Sequence, residues 1–491
     1  MSEVVALLFS PAGLSLAVTG SVLGVLVGAI PGLTGAMLIA LALPLTYSMP
    51  GELALVLLVS MYVGSVSGGF VTATLLRMPG TPASIMTTLD GYPLARSGKA
   101  GRALALGIGG SFVGGMVSWL FLLLLATPMA KLSLSFGPFE FFALVVVAMV
   151  LIVTVGGKSM SLGLLSGAIG VMLAMPGSSP ATGQPRLTFG LHALDDGFKL
   201  LPVLIGLFAI NQVIQQLLQG PIDESEVERN EPDRLDFRVG DLLTHGWNLI
   251  RSALIGTWIG ILPGIGANVG SIVAYAAAKR GSKTPEQFGT GSEEGIVAAE
   301  TANNATVGGA LIPLVAMGIP GSLIDAILLG ALILHGLQPG PMLVQSDPLI
   351  MQTMIGTMLM ANALTLLFLL VGVRWMARAA RVPRYVLIPV VLIFCVIGSY
   401  ALANRMFDVW VMLAIGLAGY GLERLKIPLA PLVIGFVLTP IGEEHLAAGL
   451  MQSGGSLAPL WTRPLSLALM IVAISLLAWM LRNRFRRNDT E

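Results

Sequence analysis

Long apolar stretches, separated by short polar segments, follow one another along almost the whole chain. The uninterrupted ones lie at 104–127, 139–156, 200–218, 348–372, 385–402, 408–421 and 465–482. About 20 residues of apolar α-helix cross the roughly 30 Å of hydrocarbon in a bilayer. Other stretches are broken by Gly and Pro, as at Pro31-Gly32, which is typical of re-entrant pieces. The pattern predicts an all-α polytopic membrane protein with roughly twelve transmembrane helices and several broken or re-entrant ones.

Composition supports the membrane assignment and removes several other classes. The chain is 55% hydrophobic and 11% charged, whereas a soluble protein is about 25% charged. Its mean hydropathy is +0.86. A net charge of +1 offers no basic field for nucleic acid, so no nucleic-acid partner is expected. The single cysteine, Cys395, excludes an internal disulfide framework, and the scattered histidines argue against a His-based metal cluster.

Charge along the chain predicts its topology and its division. The C-terminal tail, the loop from Arg374 to Arg384, and the segment from Arg96 to Arg102 are basic and are expected on the cytoplasmic side. The N-terminus has no Lys or Arg before its first apolar stretch, so that stretch is expected to be a retained helix. An acidic polar linker at 220–248 divides the chain into an N-terminal half, 1–219, and a C-terminal half, 249–491.

A motif rich in Gly and Pro occurs once in each half. The copies are Gly28-Ala-Ile-Pro31-Gly32-Leu-Thr34-Gly35 and Gly260-Ile-Leu-Pro263-Gly264-Ile-Gly266-Ala-Asn268. Each is followed by a Gly-Gly pair and a second Pro-Gly pair, at 68–69 and 79–80 in the first half and at 308–309 and 320–321 in the second. Helix breaks at corresponding places in two hydrophobic halves are typical of secondary transporters, whose site lies between two related repeats. Parallel and inverted repeats both fit this pattern.

The helix breaks are candidate anion sites. A helix that begins after a break presents unpaired N–H groups and a partial positive charge, which attract carboxylates. A single Ser or Thr at such a place more often caps its helix than binds a ligand. The candidate substrate-binding residues at the breaks are Thr34, Gly35, Pro79, Gly80, Thr81, Ser84, Gly321 and Ser322, and Thr87 and Thr88 follow shortly after. Because related positions carry these hydroxyls, substrate binding is favoured for the set.

Polar residues within apolar segments form a second group of candidates. Asn303, Asn304 and the Asn268 of the repeated motif need partners in the membrane, either on neighbouring helices or in a bound substrate or cation. Arg77 either pairs with a substrate carboxylate or extends to lipid headgroups. The residues expected near a coupling Na⁺ ion are Gly32, Gly266, Asn268, Glu300, Asn303 and Asp325. The two acidic residues of that set are equally candidates for a proton relay.

The remaining polar clusters are expected to have no role in chemistry. Asp90 is predicted in a loop turn, and the Glu443-Glu444-His445 cluster in a loop rather than a zinc helix. The stretch Gly91 to Ala100 is not a phosphate loop, because six residues separate its glycines and Ala stands where Ser or Thr must hold Mg²⁺. Transport energy is therefore expected from a gradient of Na⁺ or H⁺, with no cofactor.

The motif blocks at 28–50, 68–104, 260–280, 288–321 and 336–343 resemble the large membrane subunit of the tripartite tricarboxylate transporter family. Arg77 departs from the resemblance, since a neutral polar residue is expected before the Pro-Gly pair. The resemblance implies a permease of the bacterial inner membrane that imports citrate or another carboxylate with Na⁺ or H⁺. It also implies two partners: a small membrane subunit of four helices and a periplasmic solute-binding protein.

Two other functional classes remain to be weighed against a transporter that works by alternating access. An anion channel is the first alternative, because helix-end dipoles also line pores. Accumulation of substrate above equilibrium would separate the two. An intramembrane enzyme is disfavoured, since the apolar segments hold no Ser-His pair, zinc motif or paired catalytic aspartates.

Overall fold

The structure is a computed structural model, and it describes most of the chain. The described residues are 2–30, 33–155, 159–179, 182–218, 234–238, 240–263, 266–337, 339–341, 343–379, 384–401 and 403–488. Among them, seven helical stretches are long and apolar enough to cross a membrane, and six shorter apolar helices accompany them. The predicted all-α polytopic class is confirmed.

The helices are numbered here in chain order. Those before residue 219 are α1 (Ser2–Leu8), α2 (Pro11–Ala29), α3 (Gly35–Thr46), α4 (Gly51–Leu76), α5 (Ile85–Leu94), α6 (Ala100–Ser133), α7 (Pro138–Val155), α8 (Met160–Ala174), α9 (Leu200–Ile205) and α10 (Asn211–Leu218). Those after residue 239 are α11 (Gly240–Thr244), α12 (Gly246–Ile261), α13 (Gly266–Gly281), α14 (Glu293–Met317), α15 (Leu323–Leu334), α16 (Leu343–Ser346), α17 (Pro348–Ala379), α18 (Arg384–Ala401), α19 (Met406–Arg424), α20 (Leu429–Gln452), α21 (Pro459–Thr462) and α22 (Pro464–Asn488). Short 3₁₀ turns lie at Pro82–Ser84, His192–Leu194 and Pro285–Gln287, and π turns at Ala95–Lys99 and Gly206–Ile210. One antiparallel ribbon joins β1 (Gly177–Ser178) to β2 (Pro185–Arg186).

Serine residues explain where two of the central helices begin. The Ser10 hydroxyl accepts a hydrogen bond from the Gly13 N–H at 3.0 Å and starts α2. The Ser292 hydroxyl accepts from the Gly295 N–H at 3.2 Å and starts α14. Each contact satisfies one of the N–H groups that a helix start leaves unpaired, which stabilises the helix by about 1 kcal/mol.

Helices α4 and α14 end in the same way, two residues before their Pro-Gly pairs. The capping residues are Arg77, with φ of 56°, and Gly318, with φ of 71°, and both are left-handed. Glycine adopts this conformation freely, whereas for a residue with a Cβ it is about 1 kcal/mol less favourable than the right-handed one. The first copy of this turn is therefore strained and the second is not.

Each half of the chain contains a helix pair that packs in the same register. The close contacts are Gly24 with Met61, Gly28 with Ser65, Gly256 with Ala302, and Gly260 with Thr306; in each, a Cβ on the glycine would collide with the partner's carbonyl oxygen. In both pairs one helical turn separates the two contacts, and residue numbers increase together on the two helices. Thus α2 runs parallel to α4, and α12 runs parallel to α14.

The two helix pairs run in opposite directions, because α6 packs against both. Phe70 near the end of α4 packs on Gly107 near the start of α6, so these helices are antiparallel. In contrast, α6 and α14 are parallel: an Arg102–Glu293 ion pair joins their starts, and the Ser133 hydroxyl donates to the Ala316 carbonyl at 2.8 Å near their ends. The repeats are therefore inverted, one of the two arrangements that fitted the sequence.

Further helices pack beside the repeats. Helices α7, α8, α20 and α22 pack together, and α9 and α10 pack with α18 and α19. Glu443 lies within α20, where its carboxylate receives two hydrogen bonds from Arg186 of β2, at 2.6 and 2.5 Å. The prediction of a loop at 443–445 was wrong, because α20 runs without a break from Leu429 to Gln452 through these polar residues.

The predicted linker is only partly described. Residues 234–238 and 240–248 are visible, and they include α11 and the start of α12. Residues 219–233 and 239 lie outside the described residues. The division of the chain at 220–248 stays a prediction.

Candidate functional site

Thr34 and Ser322 stand at the first residues of two broken helices. The Thr34 hydroxyl accepts from the Met37 N–H at 3.1 Å and caps α3. The Ser322 hydroxyl accepts from the Asp325 N–H at 3.3 Å and caps α15. Both hydroxyls therefore have the local role that is commonest for such residues, and each keeps its own O–H to donate.

Gly80 and Gly321 occupy equivalent places after the two long helices. Their close neighbours are Gly28 and Gly69 for Gly80, and Gly260 and Ala310 for Gly321. In both copies the Pro-Gly turn thus lies against the end of α2 or of α12, where an added side chain would collide with backbone atoms. The packing also aligns Gly69 with Ala310, so the two Gly-Gly pairs of the sequence are offset by one residue.

Thr81 and Ser84 pair with each other at the start of α5. Their hydroxyl oxygens are 3.0 Å apart, and neither side chain caps a helix N–H. Both lie against Gly69, where a Cβ would be 2.6 Å from the Thr81 hydroxyl oxygen and 2.8 Å from that of Ser84. The first copy of the break therefore presents two linked hydroxyls.

The broken helices meet across the repeats. Helix α3 packs against α15, and α13 packs against the 3₁₀ turn Pro82–Ser84. The Tyr62 hydroxyl of α4 lies 3.3 Å from the Ser322 hydroxyl. Each half-site thus combines a short helix of one repeat, α3 or α13, with the residues that follow the second Pro-Gly pair of the other repeat. Sequence alone did not indicate this exchange.

The two half-sites differ in how tightly they are packed. Residues Gly35 to Met37 at the start of α3 are buried. Asn268 at the start of α13 is exposed, as are Pro82 and Ile85 opposite it. The half-site formed by α13 is therefore open to the surroundings, whereas the one formed by α3 is closed by side chains.

Asn303 and Asn304 are buried and join the repeats. The Ser67 hydroxyl of α4 donates to the Asn304 side-chain oxygen at 2.5 Å. The Asn304 amide donates to the Glu300 carbonyl at 3.2 Å, and the Asn303 amide reaches the Val66 carbonyl at 3.4 Å. Both side chains thus hold α14 against α4. The side-chain oxygen of Asn303, however, accepts no hydrogen bond in the described structure.

Glu300 is fully buried one turn before Asn303. Its carboxylate accepts from the Thr87 hydroxyl of α5 and from the Asn303 amide, the latter at 3.2 Å. No cationic side chain of the described structure acts on it. Thr87 and Glu300 are 213 positions apart in the chain, so their pairing was not predictable from spacing.

Asp325 is also fully buried. It lies in the first turn of α15, at the positive end of that helix. Neither carboxylate oxygen has a hydrogen bond of acceptable geometry in the described structure, although the hydroxyls of Tyr62 and Ser322 lie beside it. By its distance from the Pro-Gly pair, Asp325 occupies the position of Ser84 in the first repeat.

The other predicted site residues lie apart from these buried groups. Arg77 is exposed, and its guanidinium stacks over the Tyr92 ring at 5.7 Å from the centroid. Gly266 starts α13 with φ of 70°, and Asn268 follows it at the surface. Gly32 lies outside the described residues. Of the predicted residues, the structure brings Asn303 and Asn304 together with Glu300, Ser322 together with Asp325, and Thr81 together with Ser84.

Asp90 has a structural role that the sequence analysis missed. It lies in α5 and is buried, so the prediction of a loop turn was wrong. Its Oδ1 accepts from the N–H groups of Gly289, Gly291 and Ser292 at 2.8, 3.0 and 2.8 Å, and its Oδ2 accepts from the Tyr275 hydroxyl at 2.8 Å. A helix of the first repeat thereby holds the turn between α13 and α14 of the second. The glycines of the FGTGS segment were the available signal.

Arg102 forms a second clasp at the same end of the molecule. Its guanidinium bonds the carboxylates of Asp241 and Glu293, the latter at 2.9 and 2.8 Å. The Asp236 N–H donates to the Gly101 carbonyl at 3.3 Å. Hydrogen bonds from Arg102 lower the pKa of Asp241, so this end of the linker is held by a charged pair.

Two cavities in the described structure lie away from these polar groups. One cavity opens between α10 and α19 beside Glu423, and an apolar one lies among α7, α8 and α20. Among the described residues, no three His, Cys, Asp or Glu side chains are grouped to hold a metal ion. The arrangement of the repeats therefore offers helix starts, hydroxyls, amides and two separate carboxylates.

Comparison with known proteins bears directly on this arrangement. The model of the Tripartite tricarboxylate transporter TctA family matches residues 14–434. An uncharacterized 52.8 kDa protein from the TAR-I ttuC′ 3′ region of Agrobacterium vitis is 34% identical over 458 residues, which cover 93% of this chain and 90% of that protein. An uncharacterized protein from the TAR-II ttuC′ 3′ region of the same organism is 37% identical over 215 residues, covering 44% of this chain and 89% of that protein. No solved structure matches the chain.

Proposed function

Because the chain belongs to the tripartite tricarboxylate transporter TctA family, we propose that it imports carboxylates by ion-coupled alternating access. The family consists of membrane subunits of tricarboxylate transporters, and its tripartite character implies partner proteins. We propose in addition which ions drive transport, which residues form the substrate site and which proteins are the partners. The observation that carries it is the inverted pair of repeats whose broken helices meet across the repeats.

The proposed substrate site lies at the starts of α3, α5, α13 and α15. Helix starts and hydroxyls favour a carboxylate, and Thr81, Ser84 and Ser322 are suitably placed to donate to one. Thr34, Asn268, Asn303 and Asn304 complete the proposed set. Arg77, which stacks on Tyr92 at the surface, is proposed to attract anions only from a distance.

The difference between the half-sites suggests how access alternates. In transporters built from inverted repeats, access alternates when one repeat moves against the other around a fixed site. The half-site at α13 is open and that at α3 is closed. We therefore expect the second state to close the α13 half-site and to open the α3 half-site, with the substrate held between them.

The energy source and the partners complete the proposal. Na⁺ or H⁺ moving down its gradient would drive import, since the chain shows no phosphate loop. The partners would be a small membrane subunit of four helices and a periplasmic solute-binding protein, in the bacterial inner membrane. The basic ends at Arg96 to Arg102 and Arg374 to Arg384 would face the cytoplasm.

Uptake into proteoliposomes tests this function. Vesicles would contain the chain with its small membrane subunit, the binding protein would be outside, and labelled di- and tricarboxylates would be added with and without an inward Na⁺ or H⁺ gradient. Accumulation above equilibrium that requires a gradient is expected. Uptake that only equilibrates would favour the alternative of an anion channel, and the absence of any carboxylate uptake would refute the proposal.

A further inference from the structure

Glu300, Asn303 and Thr87 form a buried group in which acceptor atoms outnumber donors. The Glu300 carboxylate offers two oxygens, and the Thr87 hydroxyl and the Asn303 amide each donate one hydrogen bond to it. The Asn303 side-chain oxygen, fully buried, has no donor at all. An unpaired acceptor and a carboxylate without a counter-charge are both costly inside a protein. This buried group therefore lacks one positive charge.

A cation at this place would give the acceptor oxygens of the group the positive partner that they lack. The Asn303 amide nitrogen now faces the carboxylate at 3.2 Å, and rotation of the amide about its last bond would turn the oxygen toward it instead. One carboxylate oxygen, the amide oxygen and the Thr87 hydroxyl oxygen would then converge. The Val66 carbonyl, 3.4 Å from the same amide, lies close enough to join them.

The donor set selects the kind of cation. Oxygen ligands exclude the softer metals that prefer sulfur or imidazole, and divalent hard cations are usually held by several carboxylates. Here one carboxylate is bonded by neutral groups, the Thr87 hydroxyl and the Asn303 amide, and the Val66 carbonyl lies beside them. One negative charge with neutral oxygens suits a monovalent hard cation.

The equivalent place in the other half-site is built differently. By their distances from the Pro-Gly pairs, Val59 corresponds to Glu300 and Tyr62 corresponds to Asn303. Asp325, the acid of that half, lies in the first turn of α15, where N–H groups and the helix dipole already favour an anion. Glu300 lies in the middle of α14 and has no such help. Of these two acids, Glu300 is therefore the one that no helix start stabilises.

We propose that Glu300, Asn303 and Thr87 bind one Na⁺ ion at the junction of α14 with α5, with Asn303 common to this site and to the proposed carboxylate-binding set. Its role in coupling rests on the function proposed above, whereas the binding itself does not. Thr87 belongs to a broken helix of the first repeat and Glu300 to a long helix of the second. A bound ion would fasten the two repeats together, and its release would let α5 move.

Na⁺ binding can be measured on the purified full chain without substrate. Thermal unfolding is followed as NaCl replaces choline chloride at constant ionic strength and pH, with KCl as a second comparison. We expect a saturable rise of the melting temperature with Na⁺ that Glu300→Gln abolishes and Asn303→Ala shifts to at least ten-fold higher Na⁺. Glu294→Gln, the same change on the same helix near its start, is the matched control and should keep the full response. Hydrogen exchange of α5 should also slow with Na⁺.

Each remaining outcome decides the matter. A Na⁺ response that survives unchanged in Glu300→Gln, or a wild-type protein that responds to pH but not to Na⁺, would overturn the site. If Glu300→Gln does not fold, Asn303→Ala alone decides by the size of its shift. Na⁺ binding without any carboxylate uptake would leave this site standing and remove the transport function. Gradient-driven uptake that depends on Na⁺ equally in the native protein and in Glu300→Gln would support the transport function and refute this Na⁺ site.

Discussion

Replacing Asp90 by Ala should release the turn that joins α13 to α14. In the native protein this carboxylate holds four donors, of which the Ser292 N–H and the Tyr275 hydroxyl are well buried. The Gly289 N–H is at the surface and can bond water once freed. Each buried donor left unpaired costs about 1–3 kcal/mol. Two such donors give about 2–6 kcal/mol, and we take about 3–4 kcal/mol as the expected local loss.

Asp90→Asn is the informative companion variant. It keeps a side-chain oxygen for the three N–H groups, while its amide faces the Tyr275 hydroxyl, which can rotate to accept. The charge is lost, and a hydrogen bond to a charged group is worth about 1 kcal/mol more than a neutral one. For the two buried donors this amounts to about 2 kcal/mol. The Asn variant should therefore lie between the native protein and Asp90→Ala.

Hydrogen exchange of the peptide that spans 288–295 measures this loss directly. Since 1.4 kcal/mol corresponds to ten-fold, exchange should speed up about 10²–10³-fold in Asp90→Ala and about 30-fold in Asp90→Asn. Asp236→Asn, an exposed acid in the linker, should leave this peptide unchanged. Native-like exchange in Asp90→Ala, or equal effects of Ala and Asn, would refute the account of the clasp.

Replacing both Asn303 and Asn304 by Ala is expected to abolish carboxylate uptake while the protein still inserts in the membrane, because α14 loses its buried contacts to α4; full uptake at equal protein content would contradict this. Gly318→Ala should cost about 1–2 kcal/mol, since its φ of 71° and a carbonyl 2.8 Å from the added Cβ both oppose the methyl group. Arg77→Ala, at the equivalent turn, should cost less, and thermal unfolding that ranks the two variants the other way would disprove the comparison. Asp241 has a pKa lowered by its arginine partner, so its clasp contributes stability above about pH 4 and loses it as the pH falls further. Exchange of residues 234–238 should therefore rise only below that pH, and Asp241→Asn should show the released state already at neutral pH.

Much of the site could be named from the sequence because its elements are local. Thr34 and Ser322 stand directly before apolar helices, and a hydroxyl there caps the helix whatever the rest of the fold does. Asn303, Asn304 and Glu300 stood out because polar groups in an apolar helix need partners. Asp90 and Glu443 misled for the same local reason. Each is a polar residue beside a glycine, and the sequence does not show that a distant partner offsets the free-energy cost of removing its carboxylate from water.

What the sequence by itself determined is the membrane class, the duplicated helix breaks and the positions of the acids and amides. Hydropathy and the backbone limits of Pro and Gly act within one helix, so they can be recognised without a fold. Only the tertiary structure decided that the repeats are inverted, that α3 meets α15, and that Glu300 meets Thr87. Those pairings depend on how whole helices pack, since residues far apart in the chain become neighbours only when close contacts between the repeats, such as those of Gly114 with Thr301 and Gly308 with Ser118, set the register.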